Sequence, residues 1–308
     1  MTRRSLDAEA WLRRLTQALG WVNAAFTGDP SDVRTWLLLD PLAPHAQNVT
    51  QHADAEGLAQ PTAQLMNQLG VFFKTRSMHI QAEPLYRRAL AIAEISLGRE
   101  HPDVARVLDN LAELLRVTSR YEEAEPLFRR ALAIAVKALG PDHITVGFCL
   151  NNLALLLQAT KRLAEAELLM RRALAIAKLR LGPDHPTIGN LFNNLAGLLQ
   201  DTNQVGDAEL FYRRALAIVE ANFGRDHPNV AIPLNNLARL LQATNRLAEA
   251  EPLMRRHLVI LIDFERKTGY SHPHRDAAIT NYASLLEAMG KNEVEIRAAI
   301  ADIIAGGA

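Results

Sequence analysis

The sequence predicts an all-α fold, a right-handed superhelix (α-solenoid) of about five helix-turn-helix repeats of 42 residues. Three observations predict it. The motif Asn151-Asn152-Leu153-Ala154 recurs in register as Asn67-Gln68-Leu69-Gly70, Asp109-Asn110-Leu111-Ala112, Asn193-Asn194-Leu195-Ala196 and Asn235-Asn236-Leu237-Ala238. Glu83, Glu125, Glu167, Glu209 and Glu251 keep the same step, each four residues before an arginine. The loop Leu97-Gly98-Arg99-Glu100-His101-Pro102 is echoed at Gly140, Gly182 and Gly224. A fixed period of this length marks repeat architectures: one unit cannot bury its apolar face alone, and stacked neighbours supply the partner.

Residues 1–61 do not follow the period and read as an N-terminal helical cap or linker. Ser5 to Phe26 reads as one amphipathic helix, and Thr27-Gly28-Asp29-Pro30-Ser31 as a break. Ser31 is a candidate N-cap for a second helix, and Pro41 to Asp54 a candidate half-repeat. Residues 62–276 hold the five repeats. In the third, helix A is expected over 147–160, with Leu150, Leu153, Ala154, Leu156 and Leu157 on one face. Helix B follows from Leu163 to Leu181, and Gly182 stops it as a residue able to adopt positive φ. Ala82, Ala124, Ala166, Ala208 and Ala250 let helices approach closely, while Tyr86, Phe128, Met170, Tyr212 and Met254 fill the space beside them. Residues 277–308 read as a partial repeat and capping helix, with helices near 277–289 and 293–304. Gly306-Gly307-Ala308 reads as a frayed end.

Charge and composition exclude several function classes. The chain has 308 residues with 34 Lys+Arg against 34 Asp+Glu, so it lacks the basic excess that nucleic acid or an acidic membrane surface attracts. The one cysteine, Cys149, can form neither an internal disulfide nor a cysteine metal site, which fits a reducing compartment. No apolar run follows Arg3-Arg4, and none approaches the roughly 18 residues of a membrane span. A cytoplasmic location is the expectation.

Two ladders invite a chemical reading. His101, His143, His185, His227 and the offset His272 lie one repeat apart, roughly 10 Å for stacked helix pairs. That is too far for the ligands of one ion, so capping of a helix end is the expectation. The pairs Arg87-Arg88, Arg129-Arg130, Arg171-Arg172, Arg213-Arg214 and Arg255-Arg256 could read phosphates. The first of each pair has a glutamate at i−4, which favours a self-neutralised, solvated face. No phosphate loop, nucleophile elbow or metalloprotease motif is present. No enzyme activity, cofactor or metal is expected.

The pattern x-x-A-x-x-x-[YFM]-x-x-A-L after an N-L-[AG] helix resembles the tetratricopeptide repeat. The 42-residue period, with Asn-Asn-Leu-Ala, Glu-Pro-Leu-x-Arg-Arg-Ala-Leu and Leu-Gly-x-Asp-His-Pro, is most similar to the kinesin light chain subclass over residues 62–273. Similar repeats form the sensor half of bacterial STAND/NB-ARC signalling ATPases. Asp29-Pro30, Asp32-Val33-Arg34-Thr35-Trp36 and Leu42-Ala43-Pro44-His45 resemble the segment that joins ATPase to repeats there. The resemblance implies an outer layer of B helices and a concave groove of A helices that holds a protein or peptide ligand.

In that frame Asn110, Asn152, Asn194 and Asn236 face the neighbouring helix and bond to backbone. Asn67, Asp109, Asn151, Asn193 and Asn235 point into the groove, and two turns on stand Lys74, Arg116, Gln158, Gln200 and Gln242. Between them lie Val71, Glu113, Leu155, Gly197 and Arg239. An amide offers both donor and acceptor, so a column of them suits an extended peptide whatever its side chains. Lys74 and Arg116 make the N-terminal end of the groove basic, an expected seat for acidic ligand residues. The implied function is a peptide- or protein-binding scaffold, an adaptor or sensor. The alternative is an oligomerisation module, a homodimer pairing through the apolar Val259, Ile260, Leu261 and Ile262.

Overall fold

The computed structural model describes residues 3–26, 30 and 32–306, with no β-strand among them. Two helices lead, α1 (Arg3–Ala25) and α2 (Trp36–Ala55). Six helix pairs follow. They are α3 (Ala59–Thr75) with α4 (His79–Leu97), α5 (Pro102–Val117) with α6 (Tyr121–Leu139), and α7 (Ile144–Ala159) with α8 (Leu163–Leu181). Then come α9 (Pro186–Asp201) with α10 (Val205–Phe223), α11 (Ala231–Ala243) with α12 (Leu247–Thr268), and α13 (Arg275–Ala288) with α14 (Glu293–Ala305). The chain divides into two compact units, 1–152 and 153–308, and the division falls within α7. Ser31, Thr27 to Asp29 and the last two residues lie outside the described residues. Gly306 ends α14 in the left-handed region, φ 94°.

Two loop designs repeat. Five of the six A-to-B turns place one non-glycine residue at positive φ, Ser77, Ser119, Lys161, Asn203 and Asn245, all near +60°, and the turn from α13 to α14 uses Gly290. The N–H of the next residue reaches back to close the helix end, as Arg120 N–H does to the Leu115 carbonyl at 2.8 Å. Each B-to-A loop begins with a glycine: Gly98, Gly140, Gly182 and Gly224 have φ between 83° and 90° and ψ between 152° and 161°. That region is essentially closed to residues with a Cβ, so glycine is required there by the backbone itself. The histidine three residues on caps the next helix. Nδ1 of His101, His143, His185 and His227 accepts the backbone N–H two residues ahead at 3.1–3.2 Å.

Small and large residues interlock as their spacing predicts. The five alanines from Ala82 to Ala250 and the five bulky residues from Tyr86 to Met254 are all buried. In the N-terminal unit one pair is closer than the rest. Gly70 lies under the Tyr86 ring, and a Cβ there would stand 2.6 Å from Tyr86 Cε1. The sister repeats carry alanine at this position, Ala112 through Ala238.

Arginines stitch the B helices together. The first of each pair bonds the glutamate one turn back, as in Arg87–Glu83, Arg129–Glu125, Arg171–Glu167 and Arg213–Glu209 at 2.7–2.8 Å. The fifth repeat departs: Glu251 accepts the Tyr282 hydroxyl at 2.9 Å. In three of the pairs the second arginine reaches the preceding repeat. In the N-terminal unit Arg88 meets Asp54, and Arg130 meets Glu94 and the Arg99 carbonyl. In the C-terminal unit Arg256 meets Glu220 and the Arg225 carbonyl. A further arginine just before helix B spans the same seam, Arg120 to Glu83 and Arg246 to Glu209 at 2.8 and 2.7 Å.

The structure corrects the surface assigned to dimer formation. Ile260, Leu261 and Ile262 are each 3% exposed or less. α12 packs against α11, α13 and α14, so this apolar run is spent inside the chain.

Candidate functional site

The asparagine motif forms rungs between successive A helices. In the N-terminal unit Asn110 Nδ2 donates to Asn67 Oδ1 at 3.0 Å, and Asn152 Nδ2 to Asp109 Oδ2 at 2.7 Å. In the C-terminal unit Asn236 donates to Asn193 at 3.0 Å, and Asn281 to Asn235 at 2.9 Å. The second asparagine of the motif therefore bonds a side chain of the preceding repeat, where a backbone partner was expected. The two columns are two halves of one ladder. In three rungs the bonded residues are 43 apart, one period plus one, which is where adjacent positions on neighbouring parallel A helices meet. Asn281 and Asn235 are 46 apart because the loop between them is three residues longer. Asn67 and Asn151 are buried, and Asn151 Nδ2 donates to Asn152 Oδ1 at 3.2 Å.

Removing one rung should be costly where the acceptor is buried. Asn110→Ala leaves Asn67 Oδ1 without its donor, and a loss of about 1–3 kcal/mol is expected in urea unfolding. Asn236→Ala, whose acceptor Asn193 is only half-buried, is expected to cost less.

Beyond the ladder, each unit leaves a different set of polar groups on its A helices. In the N-terminal unit Arg116 lies half-buried in a two-bond pair with Glu113, Nε–Oε2 2.7 Å and Nη2–Oε1 2.9 Å. Its charge is thus neutralised, and the basic end expected from Lys74 and Arg116 reduces to Lys74. Beside it, burial pushes the Asp109 carboxyl up to about 6, with Glu113 adding, against the Asn152 bond and Lys74. Cys149 is buried, and its thiol is pushed up to about 12, chiefly by that burial, so no thiolate chemistry arises there.

In the C-terminal unit Gln158 Nε2 donates to Asp201 at 2.8 Å, and Leu155 is half-buried. Gln200 Oε1 accepts the Tyr212 hydroxyl at 3.4 Å. Burial holds that hydroxyl up near 12. Arg239 is exposed, and neither it nor Gln242 has a hydrogen bond or ion pair among the described residues. Gly197 leaves a gap in the same column. A Cβ there would meet only Tyr212 Oη at 3.4 Å and Gln158 Nε2 at 3.9 Å. One turn before Asn235, Ile232 is 52% exposed. This face offers amides, one free cation, a carboxylate and an apolar contact with room for a backbone to approach.

Among the described residues no three His, Cys, Asp or Glu side chains converge on a metal-sized site. No described helix is long and apolar enough to cross a membrane.

The model of the tetratricopeptide repeat matches residues 61–135, 104–179, 149–221 and 187–263. No curated protein matches the chain. Solved structures similar to it include the Q17M form of kinesin light chain nearly identical TPR-like repeats from Podosopora anserina. That likeness has 24% identity and TM-score 0.53, over 66% of this chain and 97% of the other. BtubC (BKLC) from P. vanneervenii is similar at 21% identity and TM-score 0.55, over 83% and 93%. The apo form of RapI is similar at 14% identity and TM-score 0.53, over 80% and 92%. At these identities the likeness is one of fold. The repeats form a scaffold of the kind typical of protein–protein interaction. With its matched repeats running from residue 61 to 263, the chain belongs to the tetratricopeptide repeat family.

Proposed function

We propose that this protein is a non-catalytic holder that grips an extended peptide or partner segment along the exposed face of its A helices. The observation that carries this reading is unspent bonding capacity on that face. Gln242 and Arg239 have no partner among the described residues, the Gln200 amide nitrogen is free, and Gly197 opens the way to the backbone. Amides accept and donate along a peptide main chain, and Arg239 adds a preference for a carboxylate. Lys74 plays the corresponding part in the N-terminal unit. The rung asparagines keep the helices in register and contribute fewer free atoms. The resemblance to the repeats of STAND-type ATPases supports a place as adaptor or sensor in a bacterial signalling protein.

A random peptide display library panned on the full chain tests the reading. Peptides selected on the wild type are expected to bind the variant Gln200→Ala/Arg239→Ala/Gln242→Ala at least about ten-fold more weakly. Equal affinity for both forms would place the site elsewhere.

A further inference from the structure

We propose that the outer face of α8 and α10, in the C-terminal unit, docks an acidic amphipathic helix of a partner protein. The inference is independent of the A-helix face. It rests on how the third and fourth repeats depart from their neighbours.

α8 exposes Leu168 and Leu179, at 69% and 72%, and α10 exposes Leu210 at 47%. Leu168 and Leu179 are eleven residues apart, so they stand on one side of α8 about 16 Å apart. Leu168 and Leu210 occupy the place that Pro84, Pro126 and Pro252 hold in the other repeats. Single exposed apolar residues are ordinary on protein surfaces, as Ile80 and Ile95 are on α4. What sets α8 and α10 apart from the adjoining α6 and α12, which present no large exposed apolar residue, is that three leucines lie beside unpaired cations.

The charges beside these leucines have also changed. Where α6 follows α4, Arg130 meets Glu94, and where α12 follows α10, Arg256 meets Glu220. The corresponding residues of α10 and α8 are Arg214 and Lys178, two cations. Arg214 has no partner among the described residues, and Lys178 stands over the Phe192 ring at 4.9 Å. The second clamp is absent as well: Gln204 replaces the arginine that reaches back from Arg120 and Arg246 in the sister repeats. The seam that is neutralised between α4 and α6 and between α10 and α12 is here left positive beside an apolar stripe. Its complement is a helix with apolar residues at i, i+4, i+7 and i+11 flanked by carboxylates.

The test uses the full chain labelled with ¹³C at leucine methyls. The probes are a helical peptide of about 20 residues with leucines at that spacing flanked by glutamates, and its lysine counterpart. The glutamate peptide is expected to shift the methyls of Leu168, Leu179 and Leu210. The lysine peptide, and the variant Leu168→Pro/Leu210→Pro/Lys178→Glu, are expected to lower affinity at least about ten-fold. Those substitutions introduce residues that sister repeats carry, and circular dichroism checks the fold. Should the variant misfold, Leu168→Gln/Leu210→Gln replaces it. Absence of shifts at the three leucines, or equal affinity for both peptides, overturns the proposal. So does a dimer in sedimentation velocity that the variant breaks, which would assign the face to a second copy of the chain.

Discussion

Gly70→Ala is expected to lower the unfolding free energy by about 2–3 kcal/mol, and Tyr86→Met in the same chain to recover most of it. The new Cβ would stand 2.6–2.8 Å from three atoms of the Tyr86 ring, which is wholly buried and cannot swing away. A neighbour must therefore shift within a close-packed layer. Methionine is unbranched and flexible, and Ala154 with Met170 or Ala238 with Met254 shows the combination already used in this chain. Urea melts of the two single variants and the double give the coupling directly. Additive losses would mean that Gly70 is required for another reason.

Acidification from pH 6.5 to 4 is expected to weaken the C-terminal unit by up to about 3 kcal/mol through His257. Its side chain is buried and Nδ1 has no partner. Burial and the neighbouring His274 hold the imidazole down at about 4. His272, edge-on to Phe264 at 5.4 Å, is held down at about 4 by burial, His274 and His257. The unfolded histidine, near 6.5, takes its proton first as pH falls. Stability is thus complete above pH 6.5 and is lost progressively down to about 4. His257→Ala, the residue found at Ala89, Ala131, Ala173 and Ala215, should remove much of this acid sensitivity. Asp109 acts with the opposite sign in the N-terminal unit, because its raised folded-state value favours the protonated, folded form as pH falls below about 6. Hydrogen exchange at pH 7, 5 and 4 separates the two units. Equal losses in both would contradict the assignment.

The helices and their order were legible because five copies reinforce each other: glycine ends helix B, histidine caps helix A, and alanine faces a bulky residue. What one repeat does to the next was harder to see. The 43-residue offset between Asn110 and Asn67 does contain the rung, since parallel A helices meet one position round. Yet an asparagine beside a helix also suits a backbone partner, and sequence alone does not choose. From sequence Arg116 reads as a cation of the groove, yet Glu113 lies three residues earlier, within reach on the same helix. Arg239 is free because it stands at the Glu113 position of its repeat, where the residue three places on is the neutral Gln242. Ile260 to Ile262 read as a sticky surface from sequence because their partners α13 and α14 lie outside the regular period.

Side-chain amide NMR on the full chain, with a peptide selected on it, tests the division between ladder and grip. The NH₂ resonances of Gln200 and Gln242 are expected to shift on binding, while those of the rung residues Asn110 and Asn236 stay in place. Shifts at the rungs with none at the glutamines would contradict the account.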